Sequence, residues 1–259
     1  MLFRTSQLER SRLRARDGRI GKIETFLFDE EQWVLRYIVA KHGFAFLGKR
    51  VLISPMSVTG ALRDGEAITV GLTRKQVKNA PSADLAQPVS RQKEAELLRY
   101  YRVPVYWGGA GLWGGALTPV EAGSLASAPG PDEQYLPETD AQTDAQTDAE
   151  SHLRSTREVT GYRLRAPEEE VGSVTDFLIE DTTWAVRYLR VETRAEIGGG
   201  SLFISPHWVR EISWGERTIL IDTPLEQLRN VPATAAEGRL SREEEEHLHE
   251  FFGKARYWK

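Results

Sequence analysis

The sequence contains no cysteine, which excludes disulfides, thiolate nucleophiles and cysteine-ligated metal centres. It also lacks any uninterrupted apolar run of the roughly 18 residues that a membrane helix requires. The first residues, Met1-Leu2-Phe3-Arg4, contain no apolar core of the length found in signal peptides. We therefore expect a cytoplasmic protein.

Basic residues are absent from one long stretch of the chain. Residues 109–151 hold no Lys or Arg against 8 Asp and Glu, whereas residues 1–108 hold 19 Lys and Arg against 11 Asp and Glu. Residues 152–259 hold 15 against 19. The small net charge of −4 therefore hides a basic first part and an acidic middle, and this asymmetry bears on the choice of partner.

The two ends of the sequence repeat each other when one is shifted by 151 positions. Residues 20–27 align with 171–178, residues 33–38 with 184–189, and residues 51–55 with 202–206. Further along, Ser90 aligns with Ser241, and Tyr106-Trp107 aligns with Tyr257-Trp258. One register without a gap indicates the duplication of a module of about 108 residues, an ordinary size for a domain.

Short runs of β-forming residues dominate each module. In the first copy they cover residues 8–16, 19–28, 33–40, 50–54, 57–62 and 66–70. Six short strands with tight turns favour a small closed barrel, because closure removes exposed edges. Short helices are predicted over residues 73–79, after Ser90 through Tyr101, and after Ser241 over 242–252. The predicted fold class is mainly β, with two small barrels that are each followed by short helices.

Five segments follow from this pattern: a first barrel over residues 1–81, a helical extension over 82–108, a linker over 109–151, a second barrel over 152–232 and a second extension over 233–259. Residues 109–151 combine low hydrophobicity with charge of one sign, which predicts a disordered, acidic linker that is dispensable for folding. The glycines of residues 108–115 lack the Lys-Ser/Thr ending of a phosphate-binding loop.

The repeated motifs resemble those of the PRC-barrel domain. The resemblance rests on Asp17 to Gly21, Phe26 to Asp29, Trp33, Arg36-Tyr37 and Val51 to Pro55. The same fold occurs in the cytoplasmic domain of the photosynthetic reaction centre H subunit and in the C-terminal domain of the ribosome maturation factor. Residues 90–92, 100–101 and 106–107 resemble the tail of bacterial tandem PRC-barrel proteins.

This resemblance implies a non-catalytic adaptor that binds other proteins and also packs its own two barrels together. The alternative is that the basic first barrel binds an anionic partner, either RNA or the ribosome, or an anionic lipid surface. A weaker alternative is an accessory role at a photosynthetic or electron-transfer complex. We expect no enzyme activity or cofactor, because no Ser–His–Asp order, paired catalytic carboxylates or phosphate motif stands out. We expect no metal, because Glu243 and His247 are best explained as a solvated acidic helix face.

Ten residues are candidates for interaction: Arg10, Arg12, Arg14, Arg16, Arg36, Arg187, Tyr106, Trp107, Tyr257 and Trp258. The first four recur at period two and so share one face of a strand, either as a site for an anionic partner or as a solvated edge. Arg36 and Arg187 either serve recognition or pair with turn carboxylates such as Asp29 and Glu180. The two Tyr-Trp pairs either dock on their own barrel or reach the other copy, and we expect the second arrangement.

Overall fold

The computed structural model describes residues 1–9, 11–42, 49–60, 62, 67–81, 89–126, 152–231 and 240–258. The strands are β1 (Leu2–Arg4), β2 (Arg12–Ala15), β3 (Gly18–Asp29), β4 (Val34–His42), β5 (Lys49–Ile53), β6 (Ile68–Thr69), β7 (Leu153–Ser155), β8 (Arg163–Arg165), β9 (Glu170–Glu180), β10 (Val186–Thr193), β11 (Gly200–Ile204), β12 (Val209–Ser213) and β13 (Thr218–Ile221). The helices are α1 (Thr5–Leu8), α2 (Arg74–Asn79), α3 (Arg91–Tyr101), α4 (Pro119–Ala126), α5 (Thr156–Val159), α6 (Leu225–Arg229) and α7 (Arg242–Phe251). The fold is mainly β, as predicted.

The strands form two sheets, one in each compact unit. The N-terminal unit comprises Gln7–Ser155 and Asp181–Ala185, and its strand order is β5-β4-β3-β2-β6 with β7 on β3. The C-terminal unit comprises Met1–Ser6, Thr156–Glu180 and Val186–Lys259, and its order is β11-β10-β9-β8-β13-β12 with β1 on β9. In both sheets one pair is parallel, β2 with β6 and β8 with β13. Closure of either sheet into a barrel stays a prediction.

The first strand of each repeat belongs to the unit of the other repeat. Strand β1, at the start of the chain, pairs with β9, and strand β7, at the start of the second repeat, pairs with β3. The register is the same in both cases, because Leu2 lies opposite Glu180 and Leu153 lies opposite Asp29. We call this arrangement the strand exchange. Each unit therefore needs residues from both repeats to complete its sheet.

Side-chain hydrogen bonds hold both exchanged strands in place. In the C-terminal unit Thr5 Oγ1 donates to Asp176 Oδ1 at 3.0 Å, and Ser6 Oγ donates to Asp176 Oδ2 at 2.5 Å. In the N-terminal unit Ser155 Oγ lies 3.1 Å from Thr25 Oγ1. Asp176 is buried, so these donors replace the water that its carboxylate loses on folding.

The predicted hairpin after β3 is confirmed in both repeats. In the first, the Asp29 carboxylate accepts from the backbone N–H of Glu31 and Gln32 at 3.0 and 3.2 Å, which shapes the turn. At the end of this turn, Trp33 in the first repeat and Trp184 in the second have a left-handed backbone, with φ of 55° and 60°. A bulky residue adopts this conformation only where packing holds it there, and both indoles are buried. The assignment of these tryptophans to the core is therefore confirmed.

The predicted helix caps are also confirmed. Ser90 Oγ accepts from the N–H of Lys93 at the start of α3, and Ser241 Oγ accepts from that of Glu244 at the start of α7. Thr73 caps α2 in the same way, with Gln76 completing the capping box. These bonds use amides that would otherwise lack a partner in the first turn of the helix.

Two predicted strands of the first copy are wrong in detail. The run over residues 8–16 begins with the end of helix α1 and is a strand only over Arg12–Ala15. The run over 57–62 begins inside a 3-10 turn, Pro55–Ser57, because Ser54 Oγ accepts from the N–H of Met56 and Pro55 presets the turn. Beyond this turn Val58 makes a single bridge to Val70, and residue 61 lies outside the described part.

The first part of the predicted linker is folded, which corrects that boundary. Residues 111–116 form a tight turn with bridges Gly111–Gly114 and Trp113–Ala116. Trp113 is 1% exposed and donates its indole N–H to the carbonyl of Thr183 at 2.8 Å. The average composition of the segment did not predict that Trp113 is buried, because small residues and glycines surround this single large apolar side chain. The rest of the predicted linker, residues 127–151, lies outside the described part of the chain.

No helix in the described part of the chain is both long enough and apolar enough to cross a membrane.

Candidate functional site

Each unit contains a buried carboxylate that is bound by a tyrosine and an arginine of its own C-terminal extension. We call the arrangement in the N-terminal unit the Glu94 cluster and its counterpart the Glu245 cluster. The equivalent positions are Arg36 and Arg187, Tyr37 and Tyr188, Arg91 and Arg242, Glu94 and Glu245, Tyr106 and Tyr257, and Trp107 and Trp258. The duplication therefore preserved a polar network as well as a fold.

In the Glu94 cluster, helix α3 brings a fully buried glutamate against the segment that follows it. The Tyr106 hydroxyl donates to Glu94 Oε2 at 2.5 Å. His152 Nε2 lies 3.1 Å from Glu94 Oε1 and 3.0 Å from the Tyr106 hydroxyl. Arg91 Nη1 donates to the same hydroxyl at 2.9 Å and lies 3.6 Å from Glu94 Oε1. The carboxylate thus draws together a helix, the tail after it and the residue that precedes β7.

Arg36 on β4 contacts this cluster through the ring of Tyr106. Its side chain is fully buried, and its Nη2 donates to Gln32 Oε1 at 2.5 Å and lies 3.4 Å from Asp29 Oδ2. The guanidinium carbon lies 4.0 Å from the centre of the Tyr106 ring and 5.0 Å from that of Trp113. Burial lowers the pKa of Arg36, while Tyr106 and Asp29 oppose this change. The cation is therefore held by the protein itself.

The Glu245 cluster repeats most of this geometry, with a different source for the histidine and an added hydrogen bond from Tyr188. Glu245 Oε2 accepts from the hydroxyls of Tyr257 at 2.5 Å and Tyr188 at 3.2 Å, and Arg242 Nη1 lies 3.3 Å from Oε1. The histidine now comes from helix α7, where His249 Nε2 lies 3.0 Å from the Tyr188 hydroxyl. The first copy has Leu98 at that helix position and takes its histidine from residue 152 instead. The two units therefore supply an imidazole by different routes.

Buried tyrosines titrate above their ordinary range in both clusters. Burial raises the pKa of Tyr106 well above 10, and the nearby Glu94 carboxylate adds to this effect. Burial likewise raises the pKa of Tyr37 and of Tyr188. These hydroxyls stay protonated at physiological pH. Those of Tyr106 and Tyr188 therefore act as hydrogen-bond donors to Glu94 and Glu245.

Two roles were considered for Arg36 and Arg187, recognition of a partner or pairing with carboxylates near the turn. The structure shows the pairing: Arg36 lies beside Asp29, and Arg187 lies beside Glu180. Arg187 Nη2 lies 2.6 Å from Glu180 Oε2, and its guanidinium stacks 4.0 Å from the centre of the Tyr257 ring. Trp107 and Trp258 each face an arginine of their own helix, Arg91 at 4.7 Å and Arg242 at 4.1 Å. Each of these contacts joins residues of the same unit. Tyr106-Trp107 and Tyr257-Trp258 are therefore each docked on the helix and strand of their own unit.

The glutamates of the two clusters were missed by the sequence analysis, although a signal was present. In α3 the buried positions Glu94, Leu97, Leu98 and Tyr101 follow helical spacing, so a carboxylate lies within the apolar stripe. The same residue type recurs at Glu245. A charged residue repeated on the buried face of a helix predicts an internal partner. Among the described residues no group of three potential metal ligands is close enough to hold an ion.

The predicted arginine stripe lies on the exposed side of β2 in the N-terminal unit. Arg12, Arg14 and Arg16 are exposed, whereas Leu13 and Ala15 between them are buried, as period two requires. Arg10 lies outside the described residues. The stripe is therefore separate from the Glu94 cluster, which lies on the buried side.

A scan against models of protein families finds no match to this sequence, and a search of curated proteins finds no relative at a significant level.

The C-terminal unit should lose stability as the pH falls from about 7 towards 5. Burial lowers the pKa of His249, and of His207, below the usual 6.5, so the unfolded chain binds more protons in this range. Replacing His249 with leucine, the residue of the first copy, should flatten this part of the pH profile measured by chemical denaturation. Burial raises the pKa of Glu245, which costs stability as the pH rises above 4.5, opposite in sign.

The exposed His247 on the same helix provides the matched control. His247→Leu should leave the slope of stability against pH unchanged. Equal slopes for both leucine variants would show that His249 does not carry the acid sensitivity.

Proposed function

We propose that the chain is a non-catalytic adaptor built from two PRC-type barrel units, whose outer surfaces bind protein partners. The observation that carries the proposal is the recurrence of one buried network in both units, each with its own carboxylate, tyrosines and arginines. These residue types would otherwise suggest catalysis. Here hydrogen bonds and arginine–tyrosine stacking among these residues fasten the C-terminal extension to the sheet, which is a structural task.

Buried charge supports the same conclusion. Arg36 and Glu94 are at most 1% exposed, so neither can meet a partner at the surface. A network of this kind gives a rigid unit with a defined surface, because each member fixes the orientation of the next. A fold does not imply an active site, so the function has to be argued from the groups that the units present. Under this proposal, binding uses the outer side chains of the strands.

The test starts with the tagged full chain, purified with its associated proteins from its native host. A candidate partner must then form a complex of defined stoichiometry with the purified full chain. Hydrogen exchange of that complex should show new protection on outer strands and unchanged protection in α3 and α7. An enzyme would behave differently: a folded Glu94→Gln or Glu245→Gln variant would lose turnover of a substrate that the parent converts. That result would overturn the proposal.

A further inference from the structure

Five cations share one exposed face of the N-terminal unit. Arg12, Arg14 and Arg16 come from β2 and the turn after it, and Arg19 and Lys22 come from the neighbouring β3. Side chains two positions apart on a strand are separated by about 7 Å, and those directly opposite on antiparallel strands by about 5 Å. The five side chains, which we call the basic face, therefore form two adjacent rows, and a register shift between Leu13 and Arg14 brings Arg19 and Lys22 to the same side.

The sheet register places like charges directly opposite each other. Arg12 lies opposite Lys22, and Arg14 lies opposite Arg19. Such pairs destabilise an antiparallel sheet. The equivalent positions of the C-terminal unit contain no like-charge pair, because Arg163 lies opposite Ser173 and Arg165 lies opposite Glu170. One fold thus carries an unfavourable charge arrangement in one copy and a compensated arrangement in the other.

Carboxylates close to the basic face are engaged elsewhere. Asp17 accepts from the backbone N–H of Arg74 at 2.7 Å and lies 3.8 Å from its Nε. Glu24 forms a two-bond pair with Arg50 at 2.8 and 2.9 Å. Within the described part of the chain, none of the five cations forms an ion pair with a carboxylate. Their charge is therefore available to an outside partner.

We propose that the basic face binds the phosphate backbone of a nucleic acid without reading its sequence. Four of its five cations are arginines, whose planar guanidinium matches two phosphate oxygens at once. A linear chain of phosphates supplies one negative charge per repeat, which suits cations placed in rows. This proposal concerns the outer side of β2 and the start of β3, and it does not depend on the protein-binding function proposed above.

The surroundings of the array favour a nucleic acid over a membrane, and backbone contacts over base contacts. Membrane-surface binding usually combines cations with apolar side chains that enter the lipid. Of the described residues, the large exposed apolar ones are Met1, Tyr100, Leu117 and Val120, and none of them lies on β2 or β3. Base recognition in single strands uses stacked aromatic side chains, which this face also lacks among its described residues. Sequence-independent binding to a duplex follows.

The test measures binding of the full chain to a short labelled RNA duplex by fluorescence anisotropy at several salt concentrations. With up to five phosphates neutralised, the logarithm of affinity should fall with the logarithm of salt at a slope of about −4 to −5. The dissociation constant should then rise about 500-fold between about 50 and 200 mM salt. The double variant Arg12→Gln/Arg14→Gln should reduce the steepness of the slope by about two.

The second repeat offers a matched control. Arg163→Gln/Arg165→Gln removes the equivalent two charges from the C-terminal unit and should leave both affinity and slope unchanged. The Arg12→Gln/Arg14→Gln variant should melt no lower than the parent, because it removes like-charge pairs, and this verifies that it is folded. Undetectable binding at low salt, or equal losses in the two variants, would overturn the proposal. Binding to vesicles of phosphatidylserine and phosphatidylcholine without binding to the duplex would overturn it in favour of a membrane surface.

Discussion

Replacing Glu94 with alanine is expected to lower the free energy of unfolding of the N-terminal unit by about 3 kcal/mol. The carboxylate is fully buried, and its removal leaves the hydroxyl of Tyr106 without its acceptor at 2.5 Å. It also removes the anion beside His152 and Arg91. A buried donor without an acceptor keeps its desolvation cost and loses the bond that offset it. Chemical denaturation of the full chain would measure the change.

Glu96 lies on the same helix and is exposed, so Glu96→Ala is the control for the loss of a helical glutamate. Its effect should stay within about 0.5 kcal/mol. A double-mutant cycle with Tyr106→Phe adds a sharper criterion, because residues in one network show coupling energies of about 0.5–3 kcal/mol. Additive effects of Glu94→Ala and Tyr106→Phe would show that the hydrogen bond between them contributes nothing to stability.

Cutting the chain between residues 127 and 151 is expected to leave two fragments that stay together. The sequence alone predicts that each repeat folds independently of the other, because each repeat looks complete. The strand exchange changes this expectation, since β1 stays with the first fragment but belongs to the sheet of the second, and β7 does the reverse. A protease site introduced into this segment, followed by size-exclusion chromatography, should give one peak before and after cleavage. Denaturant should then separate the fragments.

Two controls make this experiment decisive. Deleting Met1–Ser6 removes β1 together with the bonds of Thr5 and Ser6 to Asp176, so the cleaved variant should come apart more readily. A change outside both exchanged strands, Glu96→Ala on the exposed side of α3, should have no effect. Two folded fragments that elute separately after cleavage of the parent chain would show that the exchanged strands do not hold the halves together.

Local signals in the sequence were sufficient for much of the fold. Ser90 and Ser241 were identified as caps because a hydroxyl before a helical pattern has one chemical use. The hairpin after Asp29 followed from charged turn residues between two alternating runs. The strand exchange could not be predicted in this way. Leu2 and Leu153 occupy equivalent positions in two equivalent modules, so pairing with either hairpin gives the same local pattern and the same register.

The sites were predictable to a similar extent. Period two in the arginine stripe gave the exposed face of β2, but the contribution of Arg19 and Lys22 depends on a register shift between Leu13 and Arg14. The pairing of Arg36 with Asp29 followed from their positions around the turn. The role of Trp113 did not, because its anchor is the carbonyl of Thr183, far away in the sequence. Contacts of this kind are set by tertiary packing, which no local pattern encodes.

The strand exchange also determines the order in which the strands can pair while the chain is being synthesised. The N-terminal sheet cannot be completed until Leu153–Ser155 has left the ribosome, although most of its strands emerge before residue 70. Strand β1 is made first, yet its partners Leu178–Glu180 follow about 170 residues later. At about 5–20 residues per second this delay lasts roughly 10–35 s. The first residues of the chain to be synthesised are therefore among the last to be paired.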